Sequence, residues 1–147
     1  LMCGCHYDYI DFSLICGQEA GTPESQAGIR SWMKHLSEFI HTIDLVRARP
    51  VQGLLIEQPE YTLDSILAVP SEDYCIYLAD AREVTDPGCG APIDGRLALE
   101  LPDGDYQVSC YSPVTGMSSP ALSVSGGAVS FALPRFTHDL VVRFIRR

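Results

Sequence analysis

Four polar residues near the start of the chain could line a catalytic cleft. His6, Tyr7, Asp8 and Asp11 follow an apolar start within the segment LMCGCHYDYIDFSLICG. In an α/β barrel, polar side chains just past the carboxyl end of a strand line the active site. One interpretation is therefore that this cluster forms a wall of such a site, and the other is an ordinary loop with solvated acids. The residues leave both interpretations open.

Glu19 supplies a further carboxylate in the same part of the chain. Hydrolysis of a glycosidic bond uses two carboxylates about 5 to 10 Å apart, and Glu19 could pair with Asp8 or Asp11. An acid just ahead of a helix is also favoured by the helix dipole alone, which is the simpler interpretation. We keep His6, Tyr7, Asp8, Asp11 and Glu19 as substrate-cleft candidates and assign no catalytic residue.

Other chemical motifs are weak or missing. The chain has no GxSxG elbow, no Gly-rich phosphate loop and no HExxH. His138 and Asp139 resemble part of a triad, but neighbours in a strand point to opposite faces, so we expect a turn before the last strand. Tyrosine rings could stack on sugars, although most are expected in the core or at its rim. The tyrosines considered are Tyr61, Tyr74, Tyr77, Tyr106 and Tyr111.

The cysteines are expected to be mainly buried structural thiols. Cys75 and Cys110 lie in alternating apolar patterns, where a free thiol behaves as a small hydrophobe. A metal site at Cys3, Cys5 and His6 is the alternative, but zinc takes about four ligands and no fourth is indicated. We therefore expect neither a metal nor a cofactor.

Composition limits the classes of partner. With 147 residues, 46% of them hydrophobic, the chain can form a buried core. It has no apolar run of about 18 residues and no recognisable leader, so no membrane span is expected. The formal net charge of -9 leaves no basic surface for a phosphate backbone, which argues against nucleic acid as a partner.

The elements that must position any site begin with one helix. Thr22 offers an N-cap hydroxyl, followed by Pro23 and Glu24 in the first turn. Apolar residues then recur at steps of three and four from Ile29 to Ile43. This pattern predicts an amphipathic helix over 23–48 that stops before Pro50.

From about residue 51 the apolar period changes to two, which is typical of strands. Seven short segments are predicted, and the turn signals between them favour an antiparallel β-sandwich. Pro102-Asp103-Gly104 is read as a hairpin turn that brings Leu97, Leu99 and Leu101 against Tyr106, Val108 and Cys110. The seven segments are 65–69, 74–79, 96–101, 106–111, 121–124, 128–133 and 139–145.

Three stretches of the chain resemble a known family. DYCIYLADA, GRLALELPDGDYQVSCYSPVTG and FALPRFTHDLVVRFIRR are similar to the small β-sandwich at the C-terminus of apiosidase-like glycoside hydrolases, a module classified as a collagen-binding domain. The resemblance covers 65–147, while 1–50 looks like the last strand and closing helix of the preceding (β/α)8 barrel, and 51–64 is taken as a linker.

The resemblance implies a bacterial, secreted or envelope-associated enzyme that degrades glycans, with its acid and nucleophile upstream of Leu1. A barrel needs about 250 residues, so we expect a C-terminal part in which a mainly β sandwich, preceded by a barrel remnant and one helix, is a structural accessory. The expected partners are the upstream barrel and a polysaccharide or glycan. The alternative is a non-catalytic module that binds carbohydrate or collagen. Without a barrel, the apolar helix face should promote self-association.

Overall fold

The computed structural model describes residues 22–83 and 85–147 as one helix and eight strands. The chain is mainly β and every strand pair is antiparallel, so the predicted sandwich-like class is confirmed. The elements are α1 (Pro23–Ile40), β1 (Arg49–Val51), β2 (Leu55–Glu57), β3 (Thr62–Val69), β4 (Asp73–Asp80), β5 (Arg96–Ser112), β6 (Met117–Ser118), β7 (Leu122–Ala132) and β8 (Asp139–Arg146).

A single curled sheet has the strand order β1-β3-β4-β8-β5-β2, with β6 and β7 also paired to β5. The long strand β5 belongs to both halves of the curl. Its first half pairs with β2 and the second half of β7, whereas its last six residues before Ser112 pair with β8. The two halves therefore face each other across the core although their backbones are continuous.

The predicted hairpin at Pro102-Asp103-Gly104 is wrong. Leu101 pairs with Gly127 and Asp105 with Ser125, so three residues of β5 bulge against Gly126 alone. Proline lacks a ladder donor and Gly104 takes φ +146°, which lets the strand bend without reversing. In the same way, the predicted segments 121–124 and 128–133 form most of one bent strand, β7.

The beginning of α1 is confirmed and its predicted end is not. Thr22 caps the helix by accepting a hydrogen bond from the Ser25 N–H at 3.2 Å. The helix ends at Ile40 rather than at residue 48. The Asp44 carboxylate accepts from the N–H groups of Val46 and Arg47, and such local bonding favours a turn over further helix.

Part of the predicted linker over 51–64 belongs to the sheet. Val51 pairs with Ile66, and Leu55 pairs with Leu99, while β3 begins already at Thr62. β1 and β2 have only three residues each, too few for an alternating pattern to stand out in the sequence. The assignment of 1–50 to a barrel remains a prediction.

Two apolar clusters lie on opposite faces of the sheet. The inner cluster is the core of the sandwich and includes both predicted facing sets, one from each half of β5, whose burial is confirmed. The outer cluster lies under the end of α1 and the turn that follows it. Its buried members are Ile43, Ala48, Leu67, Val69, Cys75 and Val141, and Phe39, Ile40, Tyr77 and Tyr111 pack against them.

Candidate functional site

The substrate-cleft candidates lie outside the described residues. His6, Tyr7, Asp8, Asp11 and Glu19 all precede residue 22. The alternative metal site at Cys3, Cys5 and His6 lies in the same stretch. These assignments stay predictions, and the groups considered below belong to the described part of the chain.

An aromatic pair anchors the end of α1 on the outer face of the sheet. The Phe39 ring stacks on Tyr111 of β5, with 4.5 Å between ring centroids. The Tyr111 hydroxyl donates to the backbone carbonyl of His35 at 3.1 Å, and the His35 ring lies 3.1 Å from the Pro113 carbonyl oxygen through Nδ1. The helix is therefore attached by directional bonds as well as by apolar contact.

Arg143 of β8 forms the polar half of this attachment. Its guanidinium donates to both carboxylate oxygens of Asp73, at 3.0 and 2.7 Å. The same group donates to the Thr42 carbonyl at 2.8 Å and to the Thr42 hydroxyl at 2.6 Å. Because the last carbonyls after a helix lack backbone partners, a cation at this position both satisfies one and complements the helix dipole.

The first half of α1 has apolar side chains that are only partly covered. No residue of the helix is buried, and Trp32 is 55% exposed. We call this surface the Trp32 face, and a stripe of this kind normally packs against another element. The members of the Trp32 face are Ile29, Trp32, Met33 and Leu36.

An open groove of about 540 Å³ lies at one end of the sandwich, between the 112–119 and 134–140 segments. Asp139 lines it and accepts a hydrogen bond from the Tyr77 hydroxyl at 3.1 Å through Oδ2, whereas its buried Oδ1 has no partner. Burial raises the pKa of Asp139, an effect that the Tyr77 hydrogen bond partly offsets. Burial also raises the pKa of Tyr77 to about 12.

Asp139 does not form a pair of catalytic carboxylates within this groove. A raised pKa suits a general acid, but glycoside hydrolysis uses a second carboxylate about 5 to 10 Å away. The residues that line the groove include no other Asp or Glu. His138 takes φ +67° just before β8 begins at Asp139, which fits the expected turn rather than a triad.

Replacing Asp139 by asparagine is expected to stabilise the chain at neutral pH. A carboxyl whose pKa is higher in the folded than in the unfolded state binds more protons when the chain is folded. Its contribution to stability is therefore lost as the pH rises from the unfolded pKa of about 3.9 through the folded pKa. Asparagine keeps an acceptor for Tyr77 and carries no charge. We expect Asp139→Asn to raise the thermal midpoint at pH 7 and to lose this advantage near pH 3, as measured by circular dichroism melts.

Asp64→Asn is the matched control, because Asp64 is exposed on β3. It should leave the midpoint almost unchanged over the same pH range. A higher midpoint for Asp139→Asn that persisted undiminished at pH 3 would contradict a cause in the buried charge.

The exposed ring of Tyr61 is held by a fixed cation. Tyr61 takes φ +63°, which is rare for a bulky side chain, and the Arg82 guanidinium lies 5.5 Å from the ring centroid. Arg82 is bound by two hydrogen bonds to Asp80, both 2.7 Å, and this contact holds the pKa of Asp80 far below its usual range. Tyr74 and Tyr106 lie in the core, as expected for most of the tyrosines.

The cysteine prediction is confirmed at two positions. Cys75 and Cys110 are free and buried, and burial raises the pKa of their thiols to about 12 and about 11. Cys89 is free but exposed, so the expectation of burial does not hold there.

Among residues 22–83 and 85–147, no three His, Cys, Asp or Glu side chains are grouped as metal ligands. In that same part of the chain, no helix has the length and hydropathy of a membrane span.

Comparisons with known proteins find a likeness of fold to solved structures of glycoside hydrolases and no likeness of sequence. No protein-family model matches the sequence, and no curated protein matches it. A solved structure described as a glycoside hydrolase superposes with a TM-score of 0.61 at 14% identity, over 93% of this chain and 30% of that one. The fold is one that glycoside hydrolases contain.

A second solved structure gives the same result. The glycoside hydrolase of family 5 from Bacteroides vulgatus superposes with a TM-score of 0.55 at 14% identity, covering 78% of this chain and 24% of its own. This chain thus spans less than a third of either structure. At such identities the likeness concerns the fold, and the apiosidase-like and collagen-binding details of the sequence resemblance stay expectations.

Sequence reasoning missed the Arg143 contact and the unpartnered oxygen of Asp139. Arg143 and Asp73 are 70 residues apart, and no local pattern links them. The sequence holds a weak signal for Asp139. An acidic residue at the start of a strand whose two faces are both buried is expected to lose contact with solvent. Only the pairing of β8 between β4 and β5 makes that burial evident.

Proposed function

We propose that this chain is the C-terminal part of a glycoside-hydrolase-like protein, in which the sandwich is a structural accessory to a catalytic barrel. The observation that carries the proposal is the superposition over 93% of this chain and 30% of a glycoside hydrolase. It includes more residues than the sandwich alone, so part of what precedes the strands is also shared.

The Trp32 face supports an accessory role. Trp32 is 55% exposed and Ile29, Met33 and Leu36 beside it are only partly buried, and contiguous apolar surface of this kind marks contact with another domain. In the proposal the occupant is the preceding barrel of the same protein. The sheet holds the other end of α1 through Phe39 and Arg143, so the helix would join the two bodies rigidly.

The catalytic groups belong to the barrel in this proposal. The groove beside Asp139 is lined by one carboxylate only, which does not meet the two-carboxylate requirement of glycosidases. His6, Tyr7, Asp8, Asp11 and Glu19 would then border the substrate cleft, with a glycan as substrate. Secretion or attachment to a bacterial envelope follows from the sequence resemblance.

The test is to read the coding sequence upstream of Leu1 and to express the whole reading frame. We expect about 250 further residues upstream, and we expect the whole protein to hydrolyse members of a panel of aryl glycosides. In the whole protein, Trp32→Ser should lower the thermal midpoint by several degrees, because packing against the barrel is lost. Val46→Ser is the control, because Val46 is 84% exposed and lies on the turn after α1. A start codon directly before Leu1, or equal effects of the two variants, would overturn the proposal.

Carbohydrate binding without catalysis is the second candidate function. The favouring observation is the Tyr61 ring, which is exposed, backed by Arg82 and held at a positive φ, because a rigid aromatic face suits stacking on a sugar. Electrophoresis in gels containing soluble polysaccharides would show retardation that Tyr61→Ala abolishes. Unchanged mobility in every polysaccharide would dismiss this candidate.

A further inference from the structure

The strand β7 leaves one edge of the sheet open. Within the described residues it pairs with β5 only, so the backbone groups on its other side have no strand partner. An edge strand can pair with a strand of another chain, and proteins usually prevent this by making the edge strand short or by placing charged residues, prolines or bulges in it.

The other edges of this sheet carry such protection and β7 carries little of it. β1 has three residues, among them Arg49 and Pro50, β2 has three and includes Glu57, and β6 has two. β7 has eleven residues, LSVSGGAVSFA, with neither a charge nor a proline. Its one protective feature is the bend at Gly126 and Gly127, where Gly127 takes φ +90°.

The straight part of the open edge is 128–132. The Leu133 N–H donates to the Gly95 carbonyl of the preceding β5 segment at 3.0 Å, and backbone groups alternate in direction along a strand. The N–H and C=O groups of Ala128, Ser130 and Ala132 therefore point away from β5. Their side chains are exposed and small, and the Ser130 hydroxyl accepts a hydrogen bond from the Arg96 guanidinium of β5 at 3.1 Å.

The core holds this edge in place. Val129 is buried, and the Phe131 ring contacts Phe144 edge to face, with 5.9 Å between centroids. The outward backbone groups are thereby fixed before any partner arrives. Preorganisation of this kind lowers the entropic cost of association.

We propose that 128–132 of β7 pairs antiparallel with the same segment of a second copy of this chain, about a two-fold axis at Ser130. Identical antiparallel strands are self-complementary, since each residue that donates to the partner also accepts from it. Ser130 would face Ser130, and Ala128 would face Ala132, which exchanges six backbone hydrogen bonds in three pairs.

Charge favours this edge over the rest of the surface as the place where two copies of the chain meet. The formal charge of -9 makes two copies repel over most of their surfaces, and β7 has no charged residue to add to this. On the neighbouring strand, Glu100 lies opposite Ala128 and Arg96 opposite Ala132. The two-fold arrangement places the Glu100 end of one copy beside the Arg96 end of the other, so opposite charges flank the pair.

The interface is small, so the dimer should be weak and reversible. Five residues a side fall below the size of stable interfaces, and we expect a dissociation constant on the order of 100 μM. Sedimentation velocity of this chain from about 5 to 500 μM would then show a concentration-dependent shift from monomer to dimer.

Ser130→Pro tests the pairing and Ser130→Thr is its matched control. Proline removes the outward N–H donor at the centre without removing a backbone hydrogen bond to β5, although it also loses the hydroxyl that accepts from Arg96 of β5 at 3.1 Å. Threonine keeps both the N–H donor and a hydroxyl. We expect proline to raise the dissociation constant at least about tenfold and threonine to leave it within about twofold. Circular dichroism melts verify that each variant is folded, and Ser130→Lys replaces the proline variant if it is not.

Association through the Trp32 face is the competing outcome, and Trp32→Ser separates the two. The edge proposal predicts a dimer that survives Trp32→Ser and is weakened at least about tenfold by Ser130→Pro. A wild-type chain that stays monomeric at about 500 μM, or a dimer lost only with Trp32→Ser, would overturn it. The proposed accessory function stands or fails separately, since it does not use β7.

Discussion

Gly126→Ala is expected to destabilise the chain by at least about 3 kcal/mol. A Cβ at position 126 would lie 2.1 Å from the Pro102 carbonyl oxygen and 2.9 Å from the Pro102 carbonyl carbon. Both are backbone atoms of the β5 bulge, so no side-chain rotation relieves the clash. The two bent strands would have to separate where three residues of β5 oppose this one glycine.

Gly127→Ala is the control for this prediction. Gly127 takes φ +90°, and nothing lies within 4 Å of a Cβ built there, so the cost is backbone strain of about 1 to 2 kcal/mol. Urea unfolding of both variants and the wild type gives the two free energies. A loss for Gly126→Ala no larger than that for Gly127→Ala would contradict the close approach of β5 and β7.

Arg143→Ala should cost about 2 to 3 kcal/mol and release the end of α1. The Arg143 and Asp73 side chains are 13% and 16% exposed, so removal of the cation leaves a largely buried carboxylate without its partner. The Thr42 carbonyl and hydroxyl lose their donors as well. Urea unfolding should show the loss, and amide hydrogen exchange in the last turn of α1 should accelerate more than exchange in β3.

Lys34→Ala is the contrasting change. Lys34 and Glu38 form an ion pair on α1 at 3.7 Å with side chains 69% and 64% exposed, and such pairs contribute little. We expect a change within about 0.5 kcal/mol. Equal effects of the two variants, or faster exchange spread evenly over the sheet, would argue against a specific role for Arg143 in holding the helix.

Alternation in the sequence located the central strands well. β3, β4 and β8 each contain the predicted segment, because their residues alternate between the core and a second apolar cluster. The start of α1 was predictable for a local reason, the Thr22 cap followed by proline. In these elements local preference and tertiary packing agree.

The misread elements depended on distant partners. Pro102-Asp103-Gly104 has the residues of a tight turn, but a β-bulge uses the same residue types. The pairing of 106–111 with β8 shows that the strand continues in the same direction after the bulge. The candidate site was even harder to predict from the sequence. The unpaired oxygen of Asp139 and the Arg143 contacts with Asp73 and Thr42 arise from residues brought together by the sheet, which spacing along the chain does not record.

The central place of β8 bears on how the chain is made. β8 is the last of the described strands, yet it lies between β4 and β5 and supplies Val142 and Phe144 to the core. During synthesis, β3, β4 and β5 leave the ribosome before the strand that joins them exists. Asp73 pairs with Ile145, which lies 72 residues later in the chain. Contacts between residues so far apart in sequence slow folding. The nascent sandwich thus exposes apolar strands for longer than a chain built from local hairpins, a period in which a chaperone would be of use.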